Sequence, residues 1–140
     1  MTGTRLVVVC SALIACKTPV DCAPPPPATA SVLGAWSYAA TQSAPTTANL
    51  AGTLVITTQC GSTLAGGLDV TEVDALGSRR RTGTLSGRTV DSLTLDFDVF
   101  LTTVGRRHVG ALAQDSIQGT WIEPQDLGSA SGSFVAVRIP

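Results

Sequence analysis

Ser92-Leu93-Thr94-Leu95-Asp96-Phe97-Asp98-Val99-Phe100-Leu101 is the stretch that decides the fold. Leu93, Leu95, Phe97, Val99 and Leu101 fall on one side of an extended chain; Thr94, Asp96 and Asp98 fall on the other. Successive side chains of a strand point to opposite faces, so this alternation describes a wall that is apolar inside and wet outside. The same period returns on either side of it, in Leu54 and Ile56 and in Leu64, Leu68 and Val70. No helical period of useful length competes. The pattern predicts about eight strands: Ala35–Thr41, Thr53–Gln59, Thr63–Val73, Arg80–Ser86, Ser92–Leu101, Arg107–Gln114, Ile117–Glu123 and Gly132–Ile139.

Short connections between these segments make neighbours antiparallel, as in a meander. An open meander leaves two unpaired edges, and closing it into a cylinder removes them. The expected fold is therefore all-β, a small up-and-down antiparallel meander barrel. Eight strands enclose a space that side chains fill, or that holds one small ligand. Of the 140 residues 44% are hydrophobic but only 4% aromatic, so the core must come mainly from Leu, Val, Ile and Ala. The net charge of −1 gives no global field that would draw the protein to nucleic acid. The apolar run near the N-terminus is too short for a spanning helix.

Gly34-Ala35-Trp36 opens the first strand and resembles the Gly-x-Trp start of the calycin superfamily, which includes lipocalins and avidins. The resemblance implies a barrel whose base is closed by Trp36, packed against a basic residue of the last strand. Arg138, in phase with Phe134 and Ala136, is that residue here. Related triplets recur at Gly52-Thr53-Leu54, Gly119-Thr120-Trp121 and Gly132-Ser133-Phe134. The second lipocalin signature, Thr-Asp-Tyr, is absent, as is the residue set with which avidins hold biotin. The resemblance therefore implies an architecture and names no ligand.

The N-terminus reads as an address. Arg5 precedes the apolar run Leu6–Ala15, a length that suits a signal peptide. The run ends in Leu13-Ile14-Ala15-Cys16, which resembles the bacterial lipobox. That resemblance implies cleavage before Cys16 and lipid on its thiol and amino terminus, with several acyl chains giving lasting membrane attachment. Lys17 in place of aspartate suggests the outer membrane of a bacterial cell envelope. The expected organisation is a signal peptide over 1–15, a lipidated cysteine and Pro-rich tether over 16–33, and a β-barrel domain over 34–140. Pro24-Pro25-Pro26-Pro27 favours an extended spacer. With Cys10 removed and Cys16 lipidated, Cys22 and Cys60 remain, and an oxidising compartment favours their disulfide over two free thiols.

A meander sorts its connections onto two ends. Gln42–Gly52, Asp74–Arg79, Thr102–Arg106 and Pro124–Ser131 share one end and include the longest expected loops. Long loops on a rigid scaffold commonly carry binding functions, so this end is the candidate mouth. Arg79, Arg80 and Arg81 open the fourth strand, and Arg106 and Arg107 the sixth, at that same end. Guanidinium groups suit carboxylate, phosphate or sulfate, so these five, with Trp121, are the candidate ligand-binding residues. The competing reading is a rim of arginines paired with Asp74, Asp96 and Asp98. Trp121 and Trp36 can line a pocket or fill the barrel with Leu54, Leu95 and Phe97.

Catalysis has little support. His108 is the sole histidine, no Gly-x-Ser-x-Gly elbow occurs, and Asp96 and Asp98 lie opposite the apolar row. No zinc or calcium pattern is present, and no cofactor is expected. The sequence thus describes a non-enzymatic, lipid-anchored binding module for a small or anionic ligand. The alternative is a structural lipoprotein with a filled barrel, meeting an envelope protein through its outer wall, where Val135, Val137 and Ile139 form an apolar strip.

Overall fold

A computed structural model describes residues 22, 30–101, 104–123 and 129–140. The expected signal peptide, Cys16, Lys17 and the proline run lie outside the described residues.

The strands are β1 (Gly34–Ala44), β2 (Ala48–Cys60), β3 (Thr63–Asp74), β4 (Gly77–Thr89), β5 (Thr94–Leu101), β6 (Val104–Ala113), β7 (Ser116–Glu123) and β8 (Ala130–Arg138). Each pairs antiparallel with the next, and β8 pairs with β1, so the sheet closes in the order β1 to β8. No edge is left unpaired. The up-and-down barrel expected from the alternation is the observed fold.

Two expectations need correction. Leu93 is 57% exposed and precedes β5, whose inward row begins at Leu95. Asp91 explains this, because its carboxylate accepts from the amides of Leu93 and Thr94 at 2.8 Å each and holds the chain in a turn there. The first mouth loop is also shorter than expected. The segment Gln42–Gly52 is mostly strand, with Thr41 opposite Asn49 and Gln42 opposite Ala48, leaving only 45–47 as the connection. Hydrogen bonds of the ladder outweigh the weak strand preference of Gln, Ser and Asn.

The closed end is sealed by the chain leading into β1. Val32 is fully buried, although the sequence reading assigned it to the tether. Its amide donates to the Gln59 side chain at 3.0 Å, and its carbonyl accepts from Trp36 Nε1 at 3.1 Å. Trp36 lies opposite Arg138 in the β1–β8 register, and the guanidinium carbon sits 4.2 Å from the indole centroid. Arg138 also donates to the carbonyls of Leu33 at 2.7 Å and Ser31 at 2.8 Å. One arginine thus stacks on the core tryptophan and clamps the plug segment. A Cys22–Cys60 disulfide, with Cα atoms 5.0 Å apart, ties the preceding chain to the end of β2.

The interior is filled. A water-sized sphere touches none of Trp36, Leu54, Val99, His108, Ile117 or Ala136, each 0% exposed. Phe97, Leu95 and Ile56 are 1% exposed and Trp121 is 2%. A side chain bordering a hydrated cavity would keep some accessible surface.

Candidate functional site

Alternation decides which arginines share a space. Along β4 and β6, Arg79, Arg81 and Arg106 fall on the inward phase, and Arg80 and Arg107 on the outward phase. The five therefore do not form one basic patch. Arg80 pairs with Asp69 on the outer wall, at 2.9 and 2.5 Å. Arg107 pairs with Asp96 at 3.0 and 2.8 Å. Each pair is a bidentate fork across neighbouring strands. The Arg80 hydrogen bond holds Asp69 below the usual carboxylate range, and the Arg107 hydrogen bond does the same for Asp96.

The inward three meet at the mouth. Arg79 Nε donates to Glu72 Oε1 at 3.0 Å, and Arg81 Nη2 to the same oxygen at 3.2 Å. Arg81 Nε lies 2.9 Å from Oε2, and Arg106 Nη2 donates to that oxygen at 3.4 Å. Arg106 Nε also donates to Glu123 at 2.5 Å, and Arg79 pairs with Asp74. Burial alone would raise the Glu72 carboxyl. The Arg81 hydrogen bond and the charges of Arg81, Arg106 and Arg79 outweigh that and hold it below its ordinary value.

Glu72 and Glu123 are not among the candidate residues the sequence singles out. The signal was present. Glu72 is in phase with Leu68 and Val70, and Glu123 with Ile117 and Trp121, so both carboxylates fall on the inward face. An acid in that phase is either protonated or paired with a buried cation.

Beneath this ion cluster lies Trp121. The Arg106 guanidinium carbon stands 4.6 Å from the centroid of its ring. The Trp121 Nε1–H is buried without a hydrogen-bond partner among the described residues. His108 follows, fully enclosed, stacked on Phe97 with centroids 4.9 Å apart and edge-on to Phe134 at 5.1 Å. Its Nδ1 is 3.0 Å from the carbonyl of Arg106 and its Nε2 is 2.9 Å from the Tyr38 hydroxyl. The carbonyl can only accept, so Nδ1 carries the proton and Nε2 accepts from Tyr38. Burial pushes the Tyr38 phenol above its ordinary value, with Arg106 pulling it partly back.

Burial lowers the His108 pKa to about 4; the Arg106 charge acts in the same direction, and the hydrogen bond to its carbonyl opposes them. The unfolded chain, with an ordinary histidine near pH 6.5, binds more protons between these values. Stability is thus complete above about pH 6.5 and falls by about 3 kcal/mol as pH drops to about 4. Urea midpoints at pH 7 and pH 5 measure this loss. An imidazole resonance that titrates near pH 6.5 in the folded protein would contradict the enclosure.

The outer wall carries two shallow grooves. One of about 700 Å³ includes Thr41, Ser43, Arg107, Trp121 and Ser133. Another, of about 770 Å³, includes Ala39, Asn49, Ala51, Gln118 and Ser133. Both lie mainly over β7, β8, β1 and β2. Among the described residues these strands turn no charged side chain outward, whereas Asp69, Arg80, Arg88, Asp96, Asp98 and Arg107 all stand on β3 to β6. Among the described residues, no group of three or more His, Cys, Asp or Glu is placed to hold a metal ion.

With this geometry in hand, comparison with known proteins shows the class of fold. Neither a protein-family model nor a curated protein sequence matches the chain. Solved structures do. EF1p2_mFAP2b bound to DFHBI superposes with a TM-score of 0.65 at 11% identity, covering 76% of this chain and 93% of that one. The redesigned β-barrel mFAP1, bound to DFHBI, gives a TM-score of 0.57 at 16% identity over 76% and 94% of the two chains. A de novo designed fluorescence-activating β-barrel gives 0.51 at 15% identity, over 76% and 93%. At these identities the likeness is one of fold: a small, closed, eight-strand antiparallel barrel.

Proposed function

We propose that this chain is a non-enzymatic binding module, held at a bacterial envelope by a lipid on Cys16, that takes a small anionic ligand at the barrel mouth. The observation that carries the reading is the convergence of Arg79, Arg81 and Arg106 above Trp121. The Arg79 and Arg81 side chains are 46% and 29% exposed, so the cluster is open to solvent on its outer side. Two barrels of similar fold are described as bound to a small molecule, DFHBI. Because the interior is packed, the ligand sits in the mouth layer and not in the depth of the cylinder.

The test is native mass spectrometry of protein purified from its own envelope. The wild type retains a small anion, and the Arg79→Gln/Arg81→Gln variant binds it about ten-fold or more weakly, since each charge-assisted hydrogen bond contributes roughly 1.5–3 kcal/mol. Cys16→Ser removes the lipid mass. A wild type that carries no small molecule ends this reading.

A second reading is favoured by the filled interior and the uncharged wall over β7, β8, β1 and β2: an interaction lipoprotein that meets an envelope protein side-on. A wild type free of small molecules that retains a protein partner supports it. A partner contact unaffected by charges placed at Ala39 and Val135 removes it.

A further inference from the structure

We infer that Arg79, Arg81 and Arg106 form a carboxylate site that the chain itself occupies with the side chain of Glu72. The external ligand of the mouth is then a small carboxylate that competes with Glu72 for the same three guanidinium groups. This deepens the mouth reading and rests on it.

Three observations support the inference. All three arginines address one carboxylate, with both oxygens engaged at 2.9–3.4 Å. Arg79 also pairs with Asp74 and Arg106 with Glu123, so Glu72 is the carboxylate that all three guanidinium groups share. The donors also outnumber the acceptor positions. The three guanidinium groups bring about fifteen N–H groups, and the carboxylates of Glu72, Asp74 and Glu123 together offer about twelve lone-pair sites. Donors therefore remain for a second oxyanion, and the buried Trp121 Nε1–H adjoining Arg106 adds one with no partner among the described residues. Finally, the cage is built asymmetrically. Arg106 and Glu72 are deep, with side chains 6% and 5% exposed, while Arg79 and Arg81 reach solvent. An arriving carboxylate meets Arg79 and Arg81 first and displaces Glu72 from them. Arg106 keeps Glu123 as a partner throughout.

A site filled by its own side chain binds an outside ligand with an affinity reduced by the fraction of time the side chain is absent. Removing the resident should expose the site. The experiment is thermal unfolding of the full chain as Glu72→Ala, in sodium formate and in sodium chloride at equal ionic strength. Formate raises the Tm of the variant by about 5 °C or more at saturation. Chloride does not. Formate binds Glu72→Ala at least about ten-fold more tightly than the wild type. Glu72→Gln, whose neutral amide fills the cage but pairs less well with guanidinium groups, responds to formate more than the wild type and less than Glu72→Ala.

If Glu72→Ala does not fold alone, the readout is the return of its β-sheet circular dichroism on adding formate but not chloride. Equal responses to formate and chloride overturn the inference, as does an equal response of wild type and Glu72→Ala. Failure of formate while Arg79→Gln/Arg81→Gln still releases the native ligand overturns the Glu72 cage and leaves mouth binding intact. Rescue by formate in a protein that carries no native ligand supports the cage and removes the proposed function.

Discussion

Gly132→Ala is expected to cost more than about 4 kcal/mol and to leave the barrel largely unfolded at room temperature. A Cβ added at this position would lie 1.7 Å from the carbonyl oxygen of Thr41, which is backbone of the paired strand and cannot swing aside. It would also stand 3.0 Å from Trp121 Nε1 and 2.7 Å from the Thr41 carbonyl carbon. Relief requires β8 and β1 to separate next to the irregular register between Gln42 and Ala44, where the ladder is already interrupted. Opening that seam exposes the edges that closure removes. The control is Gly61→Ala. Gly61 has φ 56° but nothing within 4 Å of its added Cβ, so alanine there meets only the strain of a left-handed conformation, about 1 kcal/mol. Urea unfolding of both variants makes the comparison. Two variants of equal stability would mean that β1 and β8 do not approach as closely as described.

Trp36→Ala is expected to cost about 4–5 kcal/mol. The indole is fully buried, and its removal leaves a void at the base of the core. It also takes the Nε1 donor from the Val32 carbonyl and the aromatic face from Arg138. Arg138 would then have to hold the Ser31 and Leu33 carbonyls without its stacking surface. Trp36→Phe fills most of the volume and should cost about half as much, the remainder reporting on the hydrogen bond and the smaller ring. Equilibrium denaturation monitored by circular dichroism separates the two. A loss below about 1 kcal/mol for the alanine variant would show that Trp36 does not seal the base.

The barrel was legible because period-two alternation is local. Leu95, Phe97, Val99 and Leu101 announce an inward row without reference to any other strand. Gly34-Ala35-Trp36 pointed to the Trp36–Arg138 stack, which the β1–β8 register brings about. The site was only half legible. Arg79, Arg80 and Arg81 look alike in a row, and strand phase alone assigns the middle one to the other side of the wall. Which acids meet them depends on the β3–β4 register, which sets Arg79 opposite Glu72 and Arg80 opposite Thr71. No local pattern supplies that register. Val32 was missed for a different reason. Ser31-Val32-Leu33 is too short to show a period, and its burial depends on Gln59 and Arg138, distant in sequence.

The Cys22–Cys60 disulfide spans 38 positions and has a mechanical consequence. Tension applied from the N-terminal side of Cys22 crosses that bond directly to the end of β2. The loop it closes, including the plug at Val32 and all of β1, carries no load while the bond holds. A pull on the chain would thus strain the β2 end of the cylinder and spare its seal, and a thiol reductant would reroute the same force through Val32 and Trp36.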